Sequence, residues 1–349
     1  MRLIPKLLIG LLFMNTHGVL PSTAAEFSKL PALPDREGFA GAFAGVSGDC
    51  LIVAGGANFP GKKPWEGGTK VWYDTVFALA KTDGTWQVVG KLPRPLGYGI
   101  SVSTKAGVVC IGGSDATQHY AEVFLLSLSH GELKTKNLPS LPVPQANGAG
   151  VLVGETVYVF GGSEQPGEQS AMNRLFALDL KASRPQWKEL AVCPGKARIL
   201  PVAAGLEGAF YVAGGAALEQ TNGKVARVYL HDTWSYKPGT GWKQLANLPK
   251  PSVAAPTPAP VAGSEFFVLG GDDGSLVGFQ PVEKHPGFPN IGLAYNARTD
   301  SWRTNGEVPA PRATLPTTYW HGRFVLPSGE ARPGVRSPEI WEFQPSVRP

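Results

Sequence analysis

The sequence predicts an all-β chain folded as one six-bladed β-propeller. Three observations carry that expectation. A glycine pair, with Ser-Gly at its sixth place, recurs through the chain, its second member falling at Gly56, Gly113, Gly162, Gly215, Gly271 and Gly329, at intervals of 57, 49, 53, 56 and 58 residues. Each pair follows a short β-rich run and precedes another, as strands bounded by glycine turns do. The composition agrees: of 349 residues 44 are Gly and 32 are Pro, while charged residues make up only 17%, a profile of short strands and tight turns rather than helices.

Taken in order, each unit repeats four strands. The first is rich in small residues, as at Gly38 to Val46 and Pro201 to Gly205, which suits crowding near a central axis. The second is the run before the glycines, such as Leu51-Ile52-Val53 or Phe266-Phe267-Val268-Leu269. The third resembles it, as at Thr75 to Leu79 and Arg174 to Leu178. The fourth opens with tryptophan at Trp86, Trp187, Trp242 and Trp302, and a Leu-Pro or Val-Pro element closes the unit. These diglycine and tryptophan signatures resemble the kelch repeat. The sixth unit is one strand short. Phe27 to Pro34 matches Trp242 to Pro249 in its aromatic, leucine and Leu-Pro spacing. The N-terminal strand is therefore expected to complete blade six and remove the open edges of the ring.

Residues 1–25 read as a secretory signal, with Arg2 and Lys6 ahead of the apolar run Leu7 to Phe13 and small residues at Ser22 to Ala25. The propeller is then residues 26–349, a single domain in the periplasm or secreted, with no membrane segment left after cleavage. The formal net charge of +5 is scattered along the chain, so no nucleic-acid footprint is expected. Cys50, Cys110 and Cys193 are expected as free thiols, Cys50 and Cys110 in buried strands. No Cys/His spacing suggests a metal site, and no organic cofactor is expected.

The chemistry concentrates at Ser328-Gly329-Glu330-Ala331-Arg332-Pro333-Gly334-Val335-Arg336. Here Ser328 stands where the other units carry their first glycine, and a carboxylate follows at once. Strands that run up and down in sequence bring the loop before the first strand and the loop after the second to one face. Glu330, Arg336 and Arg198 are thus expected around one mouth of the central channel. Asp272 and Asp273 read as turn formers beside Gly274, and His285 as an exposed loop residue. The long stretches 57–73 and 272–291 carry Phe59, Trp65, Trp72, Tyr73 and Phe288, aromatic walls for a small-molecule pocket.

A closer resemblance is carried by residues 38–61, GFAGAFAGVSGDCLIVAGGANFPG, and residues 329–336, GEARPGVR. Both resemble segments of the bacterial N-acetylneuraminate epimerase family, periplasmic propellers that interconvert the anomers of sialic acid. The order of the two segments is reversed here, so the chain looks like a cyclically permuted branch. The resemblance implies Glu330 as the catalytic base and Arg336 as its charged partner, with Arg336 holding the carboxylate of an acidic sugar. It implies Arg198, Arg332 and Asn58 as substrate-binding residues. Three other readings stay open: a non-catalytic propeller binding glycans or proteins, a copper radical oxidase, and a mutarotase for another acidic sugar.

Overall fold

Each expected unit folds as a four-stranded antiparallel sheet, and six sheets close a ring. The structure, a computed structural model, describes residues 25–346 apart from 168 and 222; the expected signal at 1–25 thus lies outside the described residues, save Ala25. Blade one runs Phe43–Ser47, Cys50–Ala54, Thr75–Leu79 and Gln87–Lys91 from the axis outward. The pattern repeats to blade five, Val261–Ala262, Glu265–Leu269, Ile291–Asn296 and Ser301–Glu307. Blade six takes Thr318–Trp320, Arg323–Pro327 and Ile340–Gln344 from the C-terminal part of the chain. Its outer strand is Glu26–Leu30, paired from Glu26 opposite Gln344 to Leu30 opposite Ile340. The N-terminal segment thus closes the ring as its spacing predicts.

The core is divided among the seams between blades. Tyr158 and Phe160 of blade three pack against Phe210 and Val212 of blade four. Tyr211 of blade four meets Phe266 and Tyr295 of blade five. A side chain such as Phe210, fully buried, contributes roughly 1.5–3 kcal/mol by leaving water. The fourth-strand tryptophans are polar pins as well as packing. Trp187, Trp242 and Trp302 donate their indole N–H to carbonyls of the preceding blade, at Pro139, Ala191 and Ala246. Trp86 does the same to Pro31, across the seam where the two ends of the chain meet. Cys110 and Cys193 are buried free thiols, but Cys50 is only half-buried, because it is the first residue of its strand, next to the turn from the strand before it. Burial pushes the Cys193 thiol up to about 11, so it stays protonated and inert at neutral pH.

Around the axis runs a feature that the repeats alone do not announce. Gly41, Tyr98, Asn147, Leu200, Ala254 and Thr314 occupy matching places at the entrance to the six inner strands. All are left-handed, with φ between 53° and 64°. Each donates its backbone N–H to the carbonyl of its counterpart in the preceding blade, at 2.7–2.9 Å, and Gly41 closes the circle on Thr314. Five of the six are not glycine, at a conformational cost of about 1–2 kcal/mol each. The closed circle of hydrogen bonds and the packed blades around it hold them there.

Candidate functional site

The centre of the site is a tight hairpin, Glu330–Arg332 and Val335–Arg336, in which Glu330 and Arg336 face each other as a cross-strand pair. Residues directly opposite in an antiparallel ladder hold their side chains close. The register itself therefore puts carboxylate and guanidinium together. Arg336 Nη1 donates to Glu330 Oε1 at 2.8 Å, and the Gly334 N–H donates to the same oxygen at 2.8 Å. Among the described residues Oε2 has no hydrogen-bond partner. The hairpin is anchored at its base by Ser328, fully buried with φ 62°. Its hydroxyl accepts from the Phe39 N–H at 2.6 Å and donates to the Ser337 carbonyl at 2.7 Å. A glycine would adopt the same conformation without either bond. The other end is covered by blade one: a Cβ on Gly334 would lie 3.0 Å from the Trp65 ring.

This hairpin forms part of the wall of a cavity of about 490 Å³ on the axis, to which all six blades contribute. Blade one brings Phe59, Lys70 and Trp72, and blade two Tyr98, Asp115 and His119. Arg227 comes from blade four, on the hairpin Ala216–Thr221 and Lys224–Tyr229, and Asp272 and Phe288 come from blade five. The side chains of the axial circle, Tyr98, Asn147, Leu200, Ala254 and Thr314, lie at its floor, and a hollow of about 50 Å³ beneath is lined by the same residues. The volume suits one monosaccharide, and aromatic faces beside charged groups suit a sugar.

The charges around the cavity are engaged to different degrees. Burial alone would raise the Asp115 carboxyl, but bonds from Tyr120, Thr117 and Gln118 outweigh it and hold the group well below the usual carboxylate range. Asp272 accepts from the Tyr229 hydroxyl at 2.6 Å and from the Gly274 N–H. It is thus a turn former, as expected, and a cavity residue too. Burial lowers the His119 imidazole. Its Nδ1 lies 3.0 Å from the Ser163 carbonyl, which can only accept, so in the neutral ring Nδ1 carries the proton and Nε2 accepts. Arg227 is engaged within the fold. Lys70 forms no ion pair among the described residues; its ammonium instead sits 5.1, 5.4 and 5.9 Å from the ring centres of Tyr98, Trp72 and Phe59.

The structure brings together Glu330 and Arg336 but not the other expected site residues. Arg198 is fully buried, with 0% exposure. Both its terminal nitrogens grip Asp232, at 2.8 and 2.7 Å, and two further N–H groups reach the Gly214 and Lys196 carbonyls. It lines no part of the cavity, and four of its five N–H groups are engaged within the fold. Asn58 is buried as well; its amide donates to Gly38 and Asp35 and accepts from Tyr73, bracing the blade-one loop. Arg332 reaches the Glu283 carbonyl at 2.6 Å; regular alternation would set it on the face of Glu330, but the ladder is irregular between the two residues. The Arg336 fork lines the cavity but is largely withdrawn into its wall. Its side chain is 5% exposed, Nη1 is held by Glu330, Nη2 lies 3.5 Å from the Tyr98 hydroxyl and Nε is buried without a partner. His285 is buried rather than exposed, edge-on to Phe279 and beside Phe288, because its loop folds back over apolar rings. The cavity residues Lys70, Tyr98, Asp115, His119 and Arg227 were not singled out by the sequence. Among the described residues no group of three His, Cys, Asp or Glu side chains is placed to hold a metal ion.

Comparison with known proteins agrees with the architecture. A model of the N-acetylneuraminate epimerase family matches residues 15–135 and 138–280, stretches that end before the Glu330 hairpin. An N-acetylneuraminate epimerase of Haemophilus influenzae (strain PittEE) is 31% identical over 226 residues, 58% of this chain and 57% of that protein. One of Yersinia enterocolitica is 47% identical over 89 residues, 22% of each chain. One of Salmonella enteritidis is 46% identical over 101 residues, 26% of each. The alignment thus spans little more than half the length of the Haemophilus relative. The solved structure of YjhT superposes with a TM-score of 0.66 at 16% identity, covering 90% of this chain and 96% of that one, a likeness of fold.

Proposed function

The chain belongs to the N-acetylneuraminate epimerase family, and from that premise we propose that it interconverts the α and β anomers of N-acetylneuraminate. The observation that carries the reading is the Glu330–Arg336 pair on the wall of a monosaccharide-sized cavity. Mutarotation opens the sugar ring at the anomeric carbon and closes it on the other face. Glu330 takes the proton of the anomeric hydroxyl through Oε2. As the carbonyl forms, the bond from the anomeric carbon to the ring oxygen breaks, and its electron pair goes to that oxygen. Water or an acidic group of the cavity protonates the ring oxygen. Rotation about the neighbouring carbon–carbon bond and the reverse steps give the other anomer. The chemistry needs neither metal nor organic cofactor.

Arg336 serves this step by its hold on Oε1. A charge-assisted hydrogen bond to one oxygen fixes the orientation of the carboxylate, so Oε2 is presented as the base. Phe59, Trp72 and Phe288 give apolar faces for the C–H surface of the sugar. Residues 1–25 are proposed as the secretory signal that delivers the propeller to the periplasm or outside the cell. Among the described residues no helix is long and apolar enough to cross a membrane.

The test is a one-dimensional NMR time course of freshly released α-anomer. Wild-type protein is expected to exceed the spontaneous rate. Glu330→Gln is expected to lose about 10²–10⁴-fold in kcat, the usual contribution of a placed acid–base group. Equal rates for variant and wild type would remove Glu330 from the chemistry. Binding of the sugar without acceleration would make the chain a non-catalytic glycan-binding propeller.

A further inference from the structure

We propose that Lys70 is the anchor for the substrate's carboxylate, an assignment that rests on the acidic-sugar reading above. Four observations lead to it. Lys70 lines the cavity, and its ammonium has no carboxylate partner among the described residues. The other cavity cations are engaged, Arg336 with Glu330 and Arg227 within the fold. The Lys70 side chain is steered by three rings, Phe59 and Trp72 of its own blade and Tyr98 of the next. Rings attract a cation without neutralising it, so the ammonium is held in place with its charge unspent. Finally, the same wall carries a surplus of donors: Trp72 Nε1 and Arg336 Nε are both buried without acceptors. Orphaned buried donors are rare in native structures, and two of them behind a wall whose ammonium has no carboxylate partner among the described residues add to its positive field.

The position fits the chemistry. In a 2-keto acid sugar the carboxylate and the reacting hydroxyl are borne on the same carbon, so the anchor for one must lie near the base for the other. Lys70 Nζ and Arg336 Cζ stand 5.9 and 4.9 Å from the centre of the same Phe59 ring. Tyr98 also joins the two, its ring beside Lys70 and its hydroxyl beside Arg336 Nη2. A carboxylate on Lys70 therefore seats the anomeric carbon toward Glu330, while Arg336 keeps its bond to the base. The division fits the hold of Arg336 on Glu330: Arg336 positions the base, and Lys70 selects the acid. Neutral sugars, lacking the carboxylate, gain nothing from Lys70.

The experiment measures binding of N-acetylneuraminate and of its methyl ester by calorimetry to full-length wild type, Lys70→Met and Lys70→Arg, with melting curves to confirm folding. The mutarotation rate of wild type is followed in parallel. Lys70→Met is expected to weaken binding of the acid about ten-fold or more, the worth of a charge-assisted contact. Its affinity for the ester should stay within about two-fold of wild type, and Lys70→Arg should recover most of the loss for the acid. Equal affinity of wild type and a folded Lys70→Met for the acid overturns the assignment, as does an equal loss for acid and ester. Should wild type bind the acid without accelerating mutarotation, the catalytic reading falls, while Lys70 is judged by the same comparison of acid and ester. Failure of wild type to bind the acid overturns the substrate class and the anchor together.

Discussion

Arg198 and Arg336 look alike in the sequence, each an arginine in a Gly- and Pro-flanked loop on the same face, yet they take opposite duties. Arg198 is spent on Asp232, a partner 34 residues away, and nothing in a single sequence announces that pairing. Arg336 is legible because its partner lies six residues before it across a glycine turn. Removing one member of a buried ion pair leaves the other charge unpaired, at about 3–5 kcal/mol. Arg198→Met is expected to lower stability on that order in urea unfolding, while the KM of the surviving folded protein stays near wild type. A rise in KM would return Arg198 to the substrate. The partner gives a pH signature. Burial would raise the Asp232 carboxyl, but Arg198 and the Trp234 indole overcome it and hold the group below its usual 3.8. A depressed folded-state value means that the contribution is present above the unfolded value and lost as pH falls through the folded one. Asp232→Asn should therefore be less stable than wild type at pH 7, and its stability should fall less steeply below about pH 4. Lys70 had no signal of its own, because a lone lysine in a loop is ordinarily solvated, and one of its three rings arrives from the next blade.

The hairpin shows what pattern can and cannot reveal about an element. Its glycines, proline and charges mark a turn that presents a base, and the spacing of Glu330 and Arg336 is that of a short ladder. Its dependence on blade one is visible only in three dimensions, where Trp65 and Pro64 lie against Gly334. Gly334 has φ 78°, and an added Cβ meets that ring. Gly334→Ala is expected to reduce kcat at least about ten-fold by shifting Glu330, with a change in melting temperature of only a few degrees. An unchanged kcat would show that the turn does not set the base. The blade-four hairpin carrying Arg227 had a signal, the Asn222-Gly223 pair between two β-rich runs, masked by the longer period of the blades. The tryptophan pins can be tested in the same way. Trp242→Phe keeps much of the packing against Phe160, Phe210 and Tyr236. It removes the exposed bond to Ala191 and is expected to cost about 0.5–1.5 kcal/mol in urea unfolding, the net worth of a hydrogen bond whose acceptor water can reach.

For the molecule as a whole, the count of blades, the order of strands and the closure by the N-terminal segment were readable, because repetition multiplies a weak local signal six times. The cavity was readable only as a shared face; its floor was not, because left-handed residues such as Tyr98 and Leu200 carry no sequence mark. Closure has a measurable value. A chain lacking residues 1–34 exposes the Ile340–Gln344 edge, removes the buried Leu30 and Leu33 and frees the Trp86 indole. The loss is expected to be on the order of 5 kcal/mol or more, seen as aggregation in size-exclusion chromatography and a collapsed melting transition. A monomeric, fully stable truncated chain would refute the seam as a structural keystone. The axial circle has a consequence of another kind. Because the six axial positions are joined through main-chain atoms, exchanging the side chain of Tyr98, Asn147 or Thr314 is expected to reshape the bottom of the chamber while the bonds that tie blade to blade stay in place.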